Sequence, residues 1–184
     1  MAFALKKAII DCLRATKREN IETVIDFMEK QCFFTYHCHS HHHYDGGLAE
    51  HAWQTYQIAL RLDEERCANS RTAEKLDVNS IAIAALLHDL CDCSGFRNIG
   101  GHGRRSAKII EELGCRLTPE EFLAIRFHMS LKNKKQHPLY DDAKKSLLRY
   151  TVHKADGMSA RLHKGCKDIK VQKILSNKTA IVSN

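Results

Sequence analysis

Proline and long apolar runs are both scarce in this sequence. Only 2 of the 184 residues are Pro, which excludes a collagen-like or proline-rich disordered chain. No run approaches the ~18 uncharged apolar residues of a membrane span. The N-terminal residues 1–7 place their two lysines after a short apolar stretch, and no small-residue cleavage site follows them. We therefore expect a cytoplasmic protein without a membrane segment.

The length and composition favour one compact domain over residues 1–184. Apolar residues make up 43% of the chain and charged residues 28%, a balance that allows a sizeable buried core. The 8 cysteines are spread along a chain that shows no export signal, so reduced thiols are favoured over a disulfide framework. Cys38, Cys91 and Cys93 offer an alternative thiolate site, but their spacing matches none of the usual zinc patterns.

Charge and histidine content point to possible partners. The chain has 29 Lys and Arg against 22 Asp and Glu, a net charge of +7, and it has 12 His. The positive surplus favours a phosphorylated small molecule or nucleic acid as partner, although it also serves as ordinary solubilising charge. The sequence does not indicate an oligomeric state.

Apolar residues recur at helical spacing almost everywhere, which predicts an all-α bundle of six to eight helices. Residues 81–87 are all apolar, so the helix that begins near Asp77 should be the buried central helix. A further helix should end at Gly114, and Thr118 should cap a helix that runs through His128. Residues 132–142 read as a loop, and a last long helix should start at about residue 142.

Ionisable residues stand out where they end or interrupt apolar helical segments. His88 and Asp89 close the most apolar segment of the chain, and a satisfied core histidine with an aspartate partner is the simplest explanation for that pair alone. The pattern recurs, however, at His51, His128 and Asp156, each of which follows apolar residues on a predicted helix. Imidazoles combined with carboxylates suit zinc, iron, manganese or nickel. The sequence therefore predicts that several helices converge on metal.

The order and flanks of these residues resemble the H…HD…D signature of the HD-domain superfamily of metal-dependent phosphohydrolases. Residues 44–51 (YDGGLAEH) resemble the entry segment of that family, and residues 152–156 (VHKAD) resemble its closing helix. Residues 101–103 (GHG) and 124–128 (AIRFH) match further histidines of the members that hold two metals. The resemblance covers about residues 41–161.

This resemblance implies a helical core over residues 41–161, with residues 1–40 packing on it and a basic tail at 162–184. The tail reads either as a solvated terminal helix or as a nucleic-acid arm. The implied cofactor is one or two divalent ions, which are Fe, Mn, Ni, Zn or Mg. Asp89 would bridge two ions, and the implied ligands are His51, His88, Asp89, Asp156, His102 and His128.

Two positions depart from the family pattern. Asp92 stands where the family commonly carries a lysine after the His-Asp doublet, and Met129 follows His128 where many members have a second histidine. The positive charge that meets a substrate phosphate must then come from elsewhere. The candidates are Arg104, Arg105, Lys108, Lys154, His42 and His43, although all six also suit a solvated surface.

The functional prediction is a divalent-metal phosphohydrolase that acts on a nucleotide, a phosphomonoester or a nucleic-acid phosphoester. His88 and Asp89 would be at the catalytic centre, where bound cations neutralise phosphate oxygens and activate a water. A non-hydrolytic module that senses nucleotides is an alternative, since the segment after the doublet is altered. A di-iron oxygenase is a third possibility, because related helical folds use the same ligand types for oxygen chemistry.

Overall fold

The computed structural model describes residues 2–38, 40–94, 101–132 and 134–163. These residues form eight α-helices and one 3-10 helix, and the described part of the chain contains no β-strand. The predicted all-α architecture and its number of helices are therefore confirmed. The predicted basic tail falls almost entirely outside the described residues. The α-helices are α1 (Ala2–Ala15), α2 (Ile21–Lys30), α3 (Gly47–Ala68), α4 (Val78–Leu87), α5 (His102–Glu112), α6 (Pro119–Arg126), α7 (Tyr140–Lys145) and α8 (Leu147–His163), and the 3-10 helix is Leu90–Ser94.

Helix α4 is the buried centre of the bundle, as its apolar sequence predicts. All seven residues from Ile81 to Leu87 are buried. Asp77 caps the N-terminus of the helix, where its carboxylate accepts hydrogen bonds from the backbone N–H groups of Asn79 and Ser80. Helices α1, α3, α6 and α8 all pack against α4. Side chains at the C-terminal end of α4 therefore project into the interior of the domain.

Helices α3 and α8 form the largest helix pair and run antiparallel. His51 in the first turns of α3 contacts Ser159 near the end of α8. At the opposite end of the pair, Leu62 and Arg66 of α3 line a small cavity together with Leu147 at the start of α8. This pairing holds the start of α3 and the end of α8 on one side of the central helix.

Glu121 joins three parts of the chain at the start of α6. Its carboxylate accepts the backbone N–H of Thr118, which completes the predicted capping box. It also accepts hydrogen bonds from Arg18 before α2 and from Ser80 at the start of α4. Glu121 is completely buried, and these partners satisfy its charge.

Two predicted boundaries differ from the structure. Helix α6 ends at Arg126, so His128 lies just beyond the helix instead of within it. The last helix is divided into α7, which already begins at Tyr140, and α8, because Ser146 has an extended backbone with φ −64° and ψ 116°. The Ser146 hydroxyl accepts the backbone N–H of Arg149 and donates to Glu120. Ser146 thus acts as an N-cap for α8.

Candidate metal centre

Three helices bring the first predicted ligand group together inside the domain. His51 comes from α3, His88 and Asp89 follow the end of α4, and Asp156 lies on α8. The Nε2 atom of His51 lies 3.2 Å from Oδ1 of Asp156 and 3.2 Å from Nε2 of His88. Nε2 of His88 lies 3.3 Å from Oδ2 of Asp89. Both imidazoles are completely buried, and Asp89 is only 8% exposed.

A second histidine pair lies on the other side of Asp89. His102 begins α5, and His128 follows α6, so the packing of α5 on α6 places the two rings together. Their Nε2 atoms are 2.7 Å apart and lie 3.3 and 3.4 Å from Oδ1 of Asp89. The two oxygens of one carboxylate therefore face two different histidine pairs, with Oδ2 toward His51 and His88 and Oδ1 toward His102 and His128.

Hydrogen bonds at the opposite ring nitrogens orient three of these imidazoles. Nδ1 of His88 donates to the backbone carbonyl of Ala85 at 2.9 Å, and Nδ1 of His128 donates to that of Ile125 at 2.7 Å. Nδ1 of His51 lies 3.0 Å from the hydroxyl of Ser159. In each ring the Nε2 atom faces the centre of the cluster. Partners of this kind fix the ring orientation of histidines that bind metals.

The side chains of the cluster fit one or two bound cations. Oδ1 of Asp89 is buried and accepts no hydrogen bond from the described residues, an arrangement that is costly unless a cation is near. The Nε2 atoms of His128 and His102 face each other at 2.7 Å. Two imidazoles this close are held together by a shared proton or by a cation. Groups of three such residues have ligand atoms within 4.8 Å of one another.

The charges of the metal-free cluster are strongly coupled. Burial alone would lower the pKa of His88, but the charge and hydrogen bond of Asp89 raise it to about 9. Burial alone would raise the pKa of Asp156, but its hydrogen bond to His51 lowers it to about 2. At neutral pH the metal-free centre therefore holds carboxylates opposite a protonated imidazole, and a cation would take the place of that proton.

Asp92, which replaces the lysine of the family pattern, is also buried. It lies in the 3-10 helix and is 8% exposed. Burial and the nearby charge of Asp89 raise the pKa of Asp92 to about 8. The position therefore brings no positive charge to the centre at neutral pH.

The histidine-rich loop approaches His51 through His41 and His42. The ring centres of these two residues lie 4.4 and 5.3 Å from that of His51. His43 is exposed, and its Nδ1 atom lies 3.1 Å from the backbone carbonyl of Cys38. The sequence singled out His42 and His43 but missed His41. The backbone reverses at His42, which lies between His41 and His43 and has a φ of 46°, a conformation that is uncommon for a residue other than glycine.

A close contact holds this loop against the start of α3. A Cβ atom on Gly47 would lie only 1.9 Å from the backbone carbonyl oxygen of His42. Glycine is therefore required for the approach of the two backbones.

The predicted phosphate-binding cations occupy two separate regions. Arg104, Arg105 and Lys108 line an open cavity of about 820 Å³ beside α5 and α6, and Arg126 also contributes to it. Lys154 instead lines a cavity of about 260 Å³ at the opposite end of α3 from His51. The structure thus groups the three α5 residues with one another and separates Lys154 from the metal-ligand cluster.

The candidate thiolate site is not assembled as a cluster of ionised thiols. Cys38, Cys91 and Cys93 are buried and free. Burial raises the pKa of Cys91 and of Cys93 to about 12 and that of Cys38 further still. At neutral pH all three are protonated thiols, which are poor metal ligands.

Comparison with known protein families agrees with this geometry. Residues 48–161, more than half of the chain, match the sequence model of the family described as the HD domain. The chain belongs to the HD-domain family. The matched part of this HD domain contains His51, the His88-Asp89 doublet, His102, His128 and Asp156, so the family resemblance of the sequence is confirmed. Comparisons with curated proteins and with solved structures gave no significant match.

HD domains are generally metal-dependent hydrolases and typically act on phosphorylated substrates. The cluster of His and Asp side chains in this chain could hold divalent metal ions, as in other HD domains. Among the described helices none is sufficiently long and apolar to cross a membrane.

Proposed function

We propose that the chain is a divalent-metal-dependent phosphohydrolase whose substrate is a nucleotide, a phosphomonoester or a nucleic-acid phosphoester. The observation that supports this most directly is the position of Asp89. Each of its carboxylate oxygens faces a separate pair of histidines, and Oδ1 accepts no hydrogen bond from the described residues. A bridging carboxylate between two nitrogen-rich ligand groups is the arrangement that a two-metal hydrolytic site needs.

The side chains divide into two ligand groups in this proposal. His51, His88 and Asp156 would hold one ion together with Oδ2 of Asp89, while His102 and His128 would hold a second ion with Oδ1. When bound, such cations neutralise phosphate oxygens and lower the pKa of a water so that it can act as nucleophile. The nitrogen and oxygen donors suit Fe, Mn, Ni or Zn, and Mg is less well matched to imidazole.

The positive charge that attracts the substrate comes from side chains near the proposed ligands. Asp92 keeps its proton at neutral pH and supplies no positive charge. Arg104, Arg105 and Lys108 line one cavity beside the helix that His102 begins, so we propose that they attract the anionic substrate. Guanidinium groups bind phosphate with two parallel hydrogen bonds.

One observation favours a second candidate, a non-hydrolytic module that binds nucleotides. Asp92 places a buried acid where the family commonly has a phosphate-binding lysine. A chain that binds nucleotide with metal present but releases no phosphate or nucleoside would support this alternative. A di-iron oxygenase remains compatible with the ligand types, and a coloured, redox-active iron centre in the purified protein would indicate it.

Metal analysis followed by a substrate screen tests the proposed function. The purified chain should contain close to two divalent ions when Mn, Fe or Ni is supplied in excess. It should then hydrolyse at least one member of a panel of nucleotides, phosphomonoesters and phosphodiesters. A metal-loaded chain without hydrolysis of any of these compounds would contradict the enzymatic proposal.

The His128→Ala substitution tests the assignment of two ions. It removes one of the two histidines that face Oδ1 of Asp89, so the metal content should fall from about two ions per chain to about one. Hydrolysis should fall by at least ~10- to 100-fold while helix content is retained. His43→Ala is the matched control for metal content, because His43 is exposed and lies outside the ligand groups. Unchanged metal content in the His128→Ala chain, or a wild-type chain that never exceeds one ion, would show the assignment to be wrong.

A further inference from the structure

A chain of hydrogen bonds connects His51 to a carboxylate outside the ligand groups. Nδ1 of His51 lies 3.0 Å from the hydroxyl of Ser159, and this hydroxyl lies 3.0 Å from Oε1 of Gln54. The amide nitrogen of Gln54 lies 3.0 Å from Oε1 of Glu50. Glu50, His51 and Gln54 are all on the first turns of α3, whereas Ser159 comes from the adjacent α8.

The Glu50 carboxylate gives this chain of hydrogen bonds a single donor-to-acceptor direction. Both oxygens of Glu50 accept hydrogen bonds, one from Tyr44 and one from Gln54, so Gln54 turns its NH₂ group toward Glu50 and its carbonyl oxygen toward Ser159. Ser159 has one hydroxyl proton and donates it to that oxygen at 3.0 Å, since its other acceptor, the backbone carbonyl of His51, lies at 3.5 Å. The Ser159 oxygen must then accept from Nδ1 of His51. Nδ1 of His51 consequently carries a proton and donates it to Ser159, so Nε2 is the ring atom that faces the other ligands.

We propose that Glu50 and Gln54 are positioning residues of the metal centre that hold His51 in its Nδ1–H form. The Nε2 atom then faces Asp156 and His88, each 3.2 Å away, and is the ring atom that a cation would bind. This inference rests on the proposed metal centre. It assigns a role to Glu50 and Gln54, whose side chains reach the proposed ligand His51 only through the hydroxyl of Ser159.

The same carboxylate and amide also attach the histidine-rich loop to the centre. The Tyr44 hydroxyl donates to Oε2 of Glu50 at 2.8 Å. Nε2 of His42, which is buried, lies 3.1 Å from Oε1 of Gln54. That oxygen has two lone pairs and accepts from both Ser159 and His42. The loop therefore stabilises the orientation of Gln54 that the direction of the chain requires.

Nitrogen NMR of the metal-free chain tests the tautomer directly. In a ¹⁵N-histidine-labelled sample, Nδ1 of His51 should carry a proton. In Glu50→Gln, position 50 can donate as well as accept, so the hydrogen-bond chain loses its single direction and Nδ1 of His51 should be protonated in only part of the molecules. Detection of wild-type His51 without a proton on Nδ1 would overturn the inference whether or not the protein is an enzyme.

Metal affinity provides the second measurement. Calorimetric titration with Mn²⁺ should show about tenfold weaker binding of the first ion in Glu50→Gln and in Ser159→Ala, a loss typical for partners of metal-binding histidines. Glu65→Gln is the matched control, because it makes the same change of charge further along α3. The double variant of Glu50 and Ser159 should lose no more affinity for Mn²⁺ than the weaker-binding single variant, since both changes break the same chain of hydrogen bonds.

The outcomes separate this inference from the proposed function. Three results would overturn the role of Glu50 and Gln54 but leave the metal centre standing. They are wild-type affinity in both single variants, additive losses in the double variant, and an equal loss in Glu65→Gln. A wild-type chain that binds no divalent ion would overturn the metal centre and this inference together.

Discussion

The protonation of His88 links the metal-free and metal-bound forms of the centre. Its pKa of about 9 lies above the usual value of 6.5 because Asp89, against the effect of burial, stabilises the charged ring. His88 is therefore protonated on both nitrogens below pH 9, with Nδ1 donating to Ala85 and Nε2 facing Asp89 and His51. A metal ligand must be the neutral imidazole. Binding of a cation to the His51 and His88 group therefore has to displace this proton.

We predict that metal binding releases a proton from His88 at neutral pH. Affinity for Mn²⁺ should rise by about tenfold per pH unit between pH 6.5 and 8 and should level off near pH 9, because the raised pKa favours the protonated, metal-free form below that value. Calorimetric titrations in buffers with different heats of ionisation count the protons released. Asp92→Asn isolates the contribution of His88, since the Asp92 side chain, whose pKa is about 8, then has no proton to lose. Affinity that does not change between pH 6.5 and 8 in this variant would contradict the prediction.

Residues of the site differ in how far the sequence could predict them. Five of the six proposed ligands were identifiable because an ionisable side chain that ends an apolar segment needs a partner, as at His88 after residues 81–87. The sixth, His102, was identified only through the resemblance to the HD-domain superfamily. Glu50, Gln54 and Ser159 carry no such signal, since polar side chains on a helix usually face water. Their role depends on the pairing of α3 with α8, which is a tertiary contact. The inward position of His41 likewise depends on how the loop folds, since the adjacent His42 is left-handed.

At the scale of helices, the sequence predicted where caps are formed but not every place where a helix stops. Thr118 caps α6 as expected, and Asp77, near which a helix was expected to begin, caps α4; both side chains accept hydrogen bonds from backbone N–H groups within three residues. The break at Ser146 was not expected. Its hydroxyl contacts Glu120 of α6, which is distant in sequence, so the interruption between α7 and α8 is a consequence of packing.

The packing of α5 on α6 determines the distance between His102 and His128. Gly103 lies at the contact: a Cβ atom there would be 2.5 Å from the carbonyl oxygen of Ile125, 2.8 Å from that of Arg126 and 3.0 Å from Nδ1 of His128. Two of these atoms belong to the backbone and cannot move without the helix. A side chain at position 103 would therefore push the start of α5 away from His128.

We predict that Gly103→Ala destabilises the chain and weakens the second ligand group. The free energy of unfolding should fall by ~1–3 kcal/mol from overpacking, and binding of the second Mn²⁺ should weaken more than binding of the first. Gly157→Ala is the matched control, because a Cβ atom at that position of α8 meets nothing within 4 Å. It should raise stability by ~0.5–1 kcal/mol through helix propensity. Urea unfolding of both metal-free variants gives the comparison, and a Gly103→Ala chain as stable as the wild type would refute the role of this contact.

At the scale of the molecule, the described helices share one principal core. Buried side chains of α1 and α2, including Leu13 and Met28, belong to the same apolar cluster as residues 81–87 of α4 and Val152 of α8. A smaller cluster lies around Phe127, next to His128. The ligands of the candidate metal centre lie among these apolar side chains, so distortion of the core would be transmitted to them.

The shared core predicts that residues 1–40 unfold together with the metal-binding region. Leu13→Ala removes a fully buried side chain of α1 and should lower the free energy of unfolding by ~2–5 kcal/mol. Phe3→Ala is the control on the same helix, since Phe3 is 81% exposed, and its effect should stay within ~0.5 kcal/mol.

Two probes decide whether the unfolding is a single transition. Circular dichroism reports all helices, whereas the fluorescence of Trp53, the single tryptophan of the chain, reports α3 beside the candidate metal centre. If α1 and α3 belong to one cooperative unit, the two signals should coincide in urea for the wild type and should shift together in Leu13→Ala. Excess Mn²⁺ should move both midpoints upward by the same amount, because an ion that binds only the folded chain stabilises the whole cooperative unit. A Trp53 transition that stays at the wild-type midpoint while the helical signal shifts would show that residues 1–40 form a separate unit.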